Sequence, residues 1–183
     1  MSRLFPHTPY AEDQPLPHLI LTTHVLTRAI TTGSIIGLAI PALRQSIPAL
    51  RRPGPGPPLP ERLLLSVTRS TAITTAVVGV GLAARMWGRE PIEWRDRSWR
   101  LLENRGQLEL DDWTYGGMGA ALLATGLMRV GGAGGPARLG WRGVAGAAGM
   151  GSVGGMIGYM AWRYGINGGR FVEADKKGER KGI

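Results

Sequence analysis

The sequence predicts an all-α integral membrane protein with four transmembrane helices rich in small residues. Three observations lead there. First, the apolar residues gather in four runs, each close to the ~20 residues that a helix needs to cross a bilayer. Second, positions 116–169 hold 19 of the 29 glycines. A glycine inside a helix in water costs about 1 kcal/mol relative to alanine, so a soluble helix there is badly handicapped. Third, the polar face of a soluble helix is missing: no charged residue lies between Thr114 and Leu127 or between Gly143 and Trp162. In a bilayer the backbone must bond to itself, so helix is enforced and small residues become contact surfaces. The mean hydropathy of −0.04 conceals this pattern, because polar and apolar residues sit in separate blocks.

The expected spans cover about 18–43, 62–87, 113–130 and 139–164, inside a transmembrane domain at 18–165. Each carries small residues at four-residue spacing, which places them on one helix face. The first span has Ala29, Gly33 and Gly37. The second has Thr71, Thr75, Gly79 and Ala83. The third has Gly116, Ala120 and Ala124, and the fourth has Gly143, Ala147, Gly151 and Gly155. Such stripes let helix backbones approach closely, and they are the expected packing surfaces.

The connections differ in kind. Residues 1–17 read as an extended, proline-rich arm, without a signal-peptide core or an amphipathic presequence. Pro53 to Pro60 is almost entirely Pro and Gly, which excludes helix and central strand and predicts an exposed hairpin. Gly88 to Asp112 is dense in both charges. Ile92, Trp99 and Leu102 share one face of a short helix there, with Trp94 at its edge. That fits either a segment at the membrane surface or a solvated, salt-bridged loop. Asp111 and Asp112 stand where an N-cap for the third span belongs. Residues 166–183 read as a mobile basic tail.

Composition and motifs exclude much chemistry. With no cysteine there is no disulfide framework, thiolate zinc site, iron–sulfur cluster or cysteine nucleophile. No Walker A sequence, paired haem-binding histidines or nucleophile–base–acid set is visible, so no cofactor, metal or catalytic residue is expected. The formal net charge is +9. The positive residues are spread over every loop and tryptophans stand at span ends, which suits headgroup contact and not nucleic acid. Arg28 and Arg69 lie inside spans, where an ionisable residue is a functional candidate. No acid lies inside any of the four runs, so neither has a partner in this chain at membrane depth. The expectation is contact with lipid phosphate or a neighbouring subunit, shared by Trp87, Trp94, Trp99, Trp141 and Trp162. Of the 22 Lys and Arg residues, 13 fall on the side of the termini and seven on the other, which places the termini on the cytoplasmic or, in a mitochondrion, the matrix side.

The segment PHLILTTHVLTRAITTGS, followed by Gly/Ala-rich spans and a Pro/Gly hairpin, resembles the NUXM-type accessory subunit of fungal mitochondrial respiratory complex I, over roughly residues 15–165. The resemblance implies a non-catalytic, cofactor-free subunit in the mitochondrial inner membrane. Its partners would be other membrane-arm subunits and phospholipids, with cardiolipin a candidate. The Gly-rich four-span pattern is also similar to the Tim17/Tim22-like group, which implies a preprotein translocase component. That role needs a polar face, for which the spans offer Thr22, Thr23, Thr27, Thr31, Ser66, Ser70 and Thr74. A third class, a small solute transporter, needs broken helices or a charge pair near the midplane.

Overall fold

A computed structural model describes residues 5–50, 57–131 and 139–171. Among them are five α-helices and no strand: α1 (Pro17–Ser46), α2 (Leu59–Met86), α3 (Pro91–Glu103), α4 (Arg105–Val130) and α5 (Trp141–Met160), the last continued by a π-helical turn over Ala161–Ile166. The helices α1 and α2 are long and apolar enough to cross a membrane.

Start and stop signals explain most of the bounds. Pro17 and Pro60 stand in the first turns of α1 and α2, where the missing N–H is harmless and the fixed φ suits a helix. Pro60 was expected to lie in a hairpin; it opens α2 instead. The greater part of that connection, residues 51–56, lies outside the described residues, as do 132–138 and 172–183. The helix over the expected third span begins earlier than expected. Asn104, not Asp111 or Asp112, caps it, its side chain accepting from the Gln107 amide at 3.2 Å. Two further turns, RGQLELDD, therefore belong to α4.

Residue pairs across the contacts fix the topology. Gly33 lies against Thr71 and Gly37 against Val67, so α1 and α2 are antiparallel. Gly117 lies against Gly151 and Gly155 against Trp113, so α4 and α5 are antiparallel too. Gly146 touches Leu64 and Gly149 touches Val67, which runs α5 parallel to α2. Ile20 packs with Leu108, and Thr27 bonds Tyr115, so α4 is parallel to α1. The four long helices alternate up and down. The N-terminal arm, α3 and the end of α5 gather at one end of the bundle, and the last turns of α1 and α4 lie at the other.

At the α1–α2 and α4–α5 contacts, backbone meets backbone. A Cβ added at Gly33 would come within 2.7 Å of the Thr71 Cα. One at Gly117 would collide with the Gly151 carbonyl, and one at Gly155 with the Trp113 carbonyl. The stripe on α4 is not the expected one. Gly116, Ala120 and Ala124 are exposed, and nothing lies near Gly116. The surface facing α5 is one residue along, at Gly117, Ala121 and Thr125, because Asp111 and Thr114 set the rotation of α4 when they turn inward.

The helix α3 packs its Leu102 with Ile20 and Leu108, while Ser98 is fully buried. Ile92, seven residues before Trp99 and on the same helix face, stands in the first turn of α3 and is 42% exposed. The arm is tied down across α3. Gln14 is buried and its amide donates to the Pro6 carbonyl at 2.8 Å, and the Trp99 indole donates to the Thr8 carbonyl at 2.9 Å.

The Gly117 contact yields a one-residue test. Gly117→Leu should destabilise the bundle in detergent by about 1–3 kcal/mol or more, through overpacking against backbone. Gly116→Leu, one position away, should stay within about 0.5 kcal/mol of the parent. Matching thermal melts for the two variants would show that this face of α4 is wrongly placed.

Candidate functional site

The early start of α4 changes the reading of Arg28. Extending the helix back from Trp113 brings Leu108, Asp111 and Tyr115 onto one face, at the i, i+3, i+7 spacing of an apolar stripe. That face meets Ile20, His24, Thr27 and Arg28 of α1. Asp111 is fully buried. Its Oδ1 accepts from the Arg28 Nη2, and its Oδ2 lies 2.7 Å from the His24 Nδ1, where an N–H donates to it. The chain thus supplies the carboxylate that the sequence reading did not find.

The surroundings are polar as well. The Thr27 hydroxyl lies 2.7 Å from the Tyr115 hydroxyl and bonds the Thr23 carbonyl at 2.8 Å. The Arg28 Nε is buried without a hydrogen-bond partner, so the guanidinium is held through one edge only. His24 and Arg28 lie about 10–16 Å along α1 from its first residue, at 1.5 Å per residue. Both carboxylate oxygens are engaged, which makes Asp111 the centre of an ion-paired clamp between α1 and α4. Removing one partner of such a pair strands a buried charge.

A second ion pair starts from the same two turns of α4. Glu109 accepts from Arg163 at 3.2 Å. Arg163 is buried in the π-helical turn that ends α5, with Phe171 stacked over its guanidinium at 3.3 Å. One charged segment therefore reaches α1 through Asp111 and α5 through Glu109.

The other expected site residues fall into two groups. Ala29, Gly33, Gly37, Gly143, Ala147 and Gly155 are buried; Thr75, Gly79 and Gly151 are half-buried. Arg69 is exposed on α2, and Trp87 and Trp141 are 85% and 72% exposed. Trp94 and Trp99 are engaged within the chain. Trp94 lies tilted against His18 with ring centroids 4.3 Å apart, and Trp99 stacks with His7 at 5.9 Å. Trp162 lies near Trp113, at 6.4 Å. Among the described residues, no three His, Cys, Asp or Glu side chains are grouped to hold a metal ion.

These features define an all-helical bundle with a polar, close-packed interior. Set beside protein-family models, curated proteins and solved structures, the chain matches none.

The clamp yields a stability cycle. Asp111→Ala should cost about 3–5 kcal/mol by leaving Arg28 uncompensated. The double variant Arg28→Met, Asp111→Leu should recover most of that loss, because it removes both charges and fills the space. His24→Ala should cost only about 1 kcal/mol, the size of one hydrogen bond. Denaturant titration in detergent measures all three; a double variant as unstable as Asp111→Ala would count against the clamp.

Proposed function

We propose that the chain is a four-span integral membrane protein whose role is structural, an accessory subunit in the membrane arm of mitochondrial NADH:ubiquinone oxidoreductase. The observation that carries the membrane reading is an inside-out distribution of side chains. Ser34, Thr114, Asp111 and Ser152 are fully buried, while Ile73, Val77, Val80, Leu123 and Leu127 are 55–73% exposed. Only 33% of the apolar window of α1 is buried, and 11% of that of α2. A core helix of a soluble protein buries its apolar residues. Here they face outward, which suits a surrounding of lipid.

The remaining two spans are α4 and α5. They lie in register with α1 and α2, and their charge-free stretches cover the same depth of the bundle. Close helix contact through small residues favours a rigid packing element. Assignment to complex I, and with it the inner membrane with termini in the matrix, rests on the resemblance over residues 15–165. In this reading the chain contributes no catalytic residue. Its exposed apolar faces fill interfaces with neighbouring subunits and lipid.

The Asp111 clamp favours a second reading. A buried charge pair inside an apolar bundle is also what a small solute or proton carrier requires.

Carbonate extraction, native gel separation and mass spectrometry distinguish these readings. The chain should stay in the membrane and migrate with respiratory-complex subunits; migration with preprotein-import components would support a translocase role. Arg28→Ala should lower the amount of assembled complex and leave turnover per assembled complex unchanged. Substrate uptake by liposomes containing the purified chain alone would favour the carrier.

A further inference from the structure

The arm ahead of α1 is folded into one piece. Gln14 organises it: its side-chain amide donates to the Pro6 carbonyl at 2.8 Å, and its Oε1 accepts from the Thr8 hydroxyl at 3.3 Å. A turn of 3-10 helix over Ala11–Asp13 stands between them in the chain. The arm occupies a groove along α3. Phe5 packs against the buried cluster of Ile20, Leu102 and Leu108. The Trp99 indole donates to the Thr8 carbonyl at 2.9 Å. His7 stacks with Trp99 and lies 3.2 Å from the Glu103 carboxylate.

The hinge between arm and bundle is Pro15, Leu16 and Pro17. Leu16 has φ 54° and ψ 37°, and among the described residues it is the one residue other than glycine with a positive φ. A left-handed leucine is disfavoured because its Cβ crowds the following carbonyl. The ring of Pro17 adds to the strain, since it pushes the residue before it toward extended backbone. Burial of the leucine side chain does not offset this, because it is 53% exposed. Such a conformation persists only where its surroundings enforce it, and here the seat of the arm on α3 enforces it. Relaxing Leu16 to extended backbone would carry the arm off its own α3. The start of α1 would stay intact, because Pro17 suits a first helical turn in either form.

We propose that the arm is exchanged between two copies of this chain, the arm of each seated in the α3 groove of the other. The groove selects this occupant. A second copy brings the same Phe5, His7 and Thr8 to the same partners, so each contact of the arm forms again between chains. The two forms differ at the hinge, where exchange lets Leu16 relax, and a short hinge under strain favours exchange for that reason. The internal bonds of Gln14 let the arm pass over as one piece. Arm exchange does not depend on the assignment to complex I.

The chain has no cysteine, so introduced thiols are unique. Full-length chains carrying His7→Cys are mixed in detergent with differently tagged chains carrying Glu103→Cys, and a short bismaleimide is added. The exposed pair these changes remove contributes little to stability. A link between positions 7 and 103 of differently tagged chains, read by peptide mass spectrometry, requires an arm seated on another copy. That link should form and should rise with protein concentration. Leu16→Gly, which takes a positive φ without strain, should lower its yield roughly tenfold. Leu16→Pro, whose ring fixes φ at about −65°, should make it the main product. Absence of the link at every concentration would overturn exchange, whether the arm stays on its own α3 or hangs free. Equal yields from Leu16→Gly and the unsubstituted hinge would overturn strain at Leu16 as its cause, and this comparison stands even where Leu16→Pro fails to fold.

Discussion

The bundle depends on side chains that are missing. Where α1 meets α2 and where α4 meets α5, the backbones touch because Gly33, Gly37, Gly117, Gly151 and Gly155 have no Cβ to hold them apart. At that distance dispersion between main chains supplies much of the attraction, and it does not require water. Large apolar residues, which fill the core of a soluble protein, are then free to face outward. The glycine content, the outward leucines and valines, and the hydroxyl-rich interior are thus consequences of one packing mode.

Close packing also sets conditions for the charges. A carboxylate in such an interior is tolerated only when its oxygens are engaged, and Asp111 meets that condition through Arg28 and His24. The pairing fixes the rotation of α4, and rotation decides which glycine meets α5. The segment Arg105–Asp112 therefore does more than lengthen a helix. It links the two helical hairpins at one end through Asp111 and Glu109, while none of the described arginines at the opposite end makes an ion pair with a described carboxylate.

The long helices were legible in the sequence because each depends on local properties: an apolar stretch of sufficient length and charges at the margins. The α1 stripe was legible for the same reason, since Ala29, Gly33 and Gly37 recur at the spacing of one helix face. The short α3 was visible as a shared face of Ile92, Trp99 and Leu102, of which Ile92, in the first turn, is left exposed. The beginning of α4 was missed because the charged block RGQLELDD was taken to mark the end of an apolar run. A sharper signal was present. Leu108, Asp111 and Tyr115 keep the helical period across that block, and a cation inside an apolar run calls for a carboxylate from somewhere.

The amino-acid sequence by itself determined that this chain forms long helices with small-residue faces, because periodicity and span length are properties of neighbouring residues. Only the tertiary structure decided that Asp111 meets Arg28 and that Gly117, not Gly116, meets α5. Each of these depends on how helices distant in sequence are rotated and aligned against one another. That is set by the sum of many contacts across the bundle, which no local pattern contains.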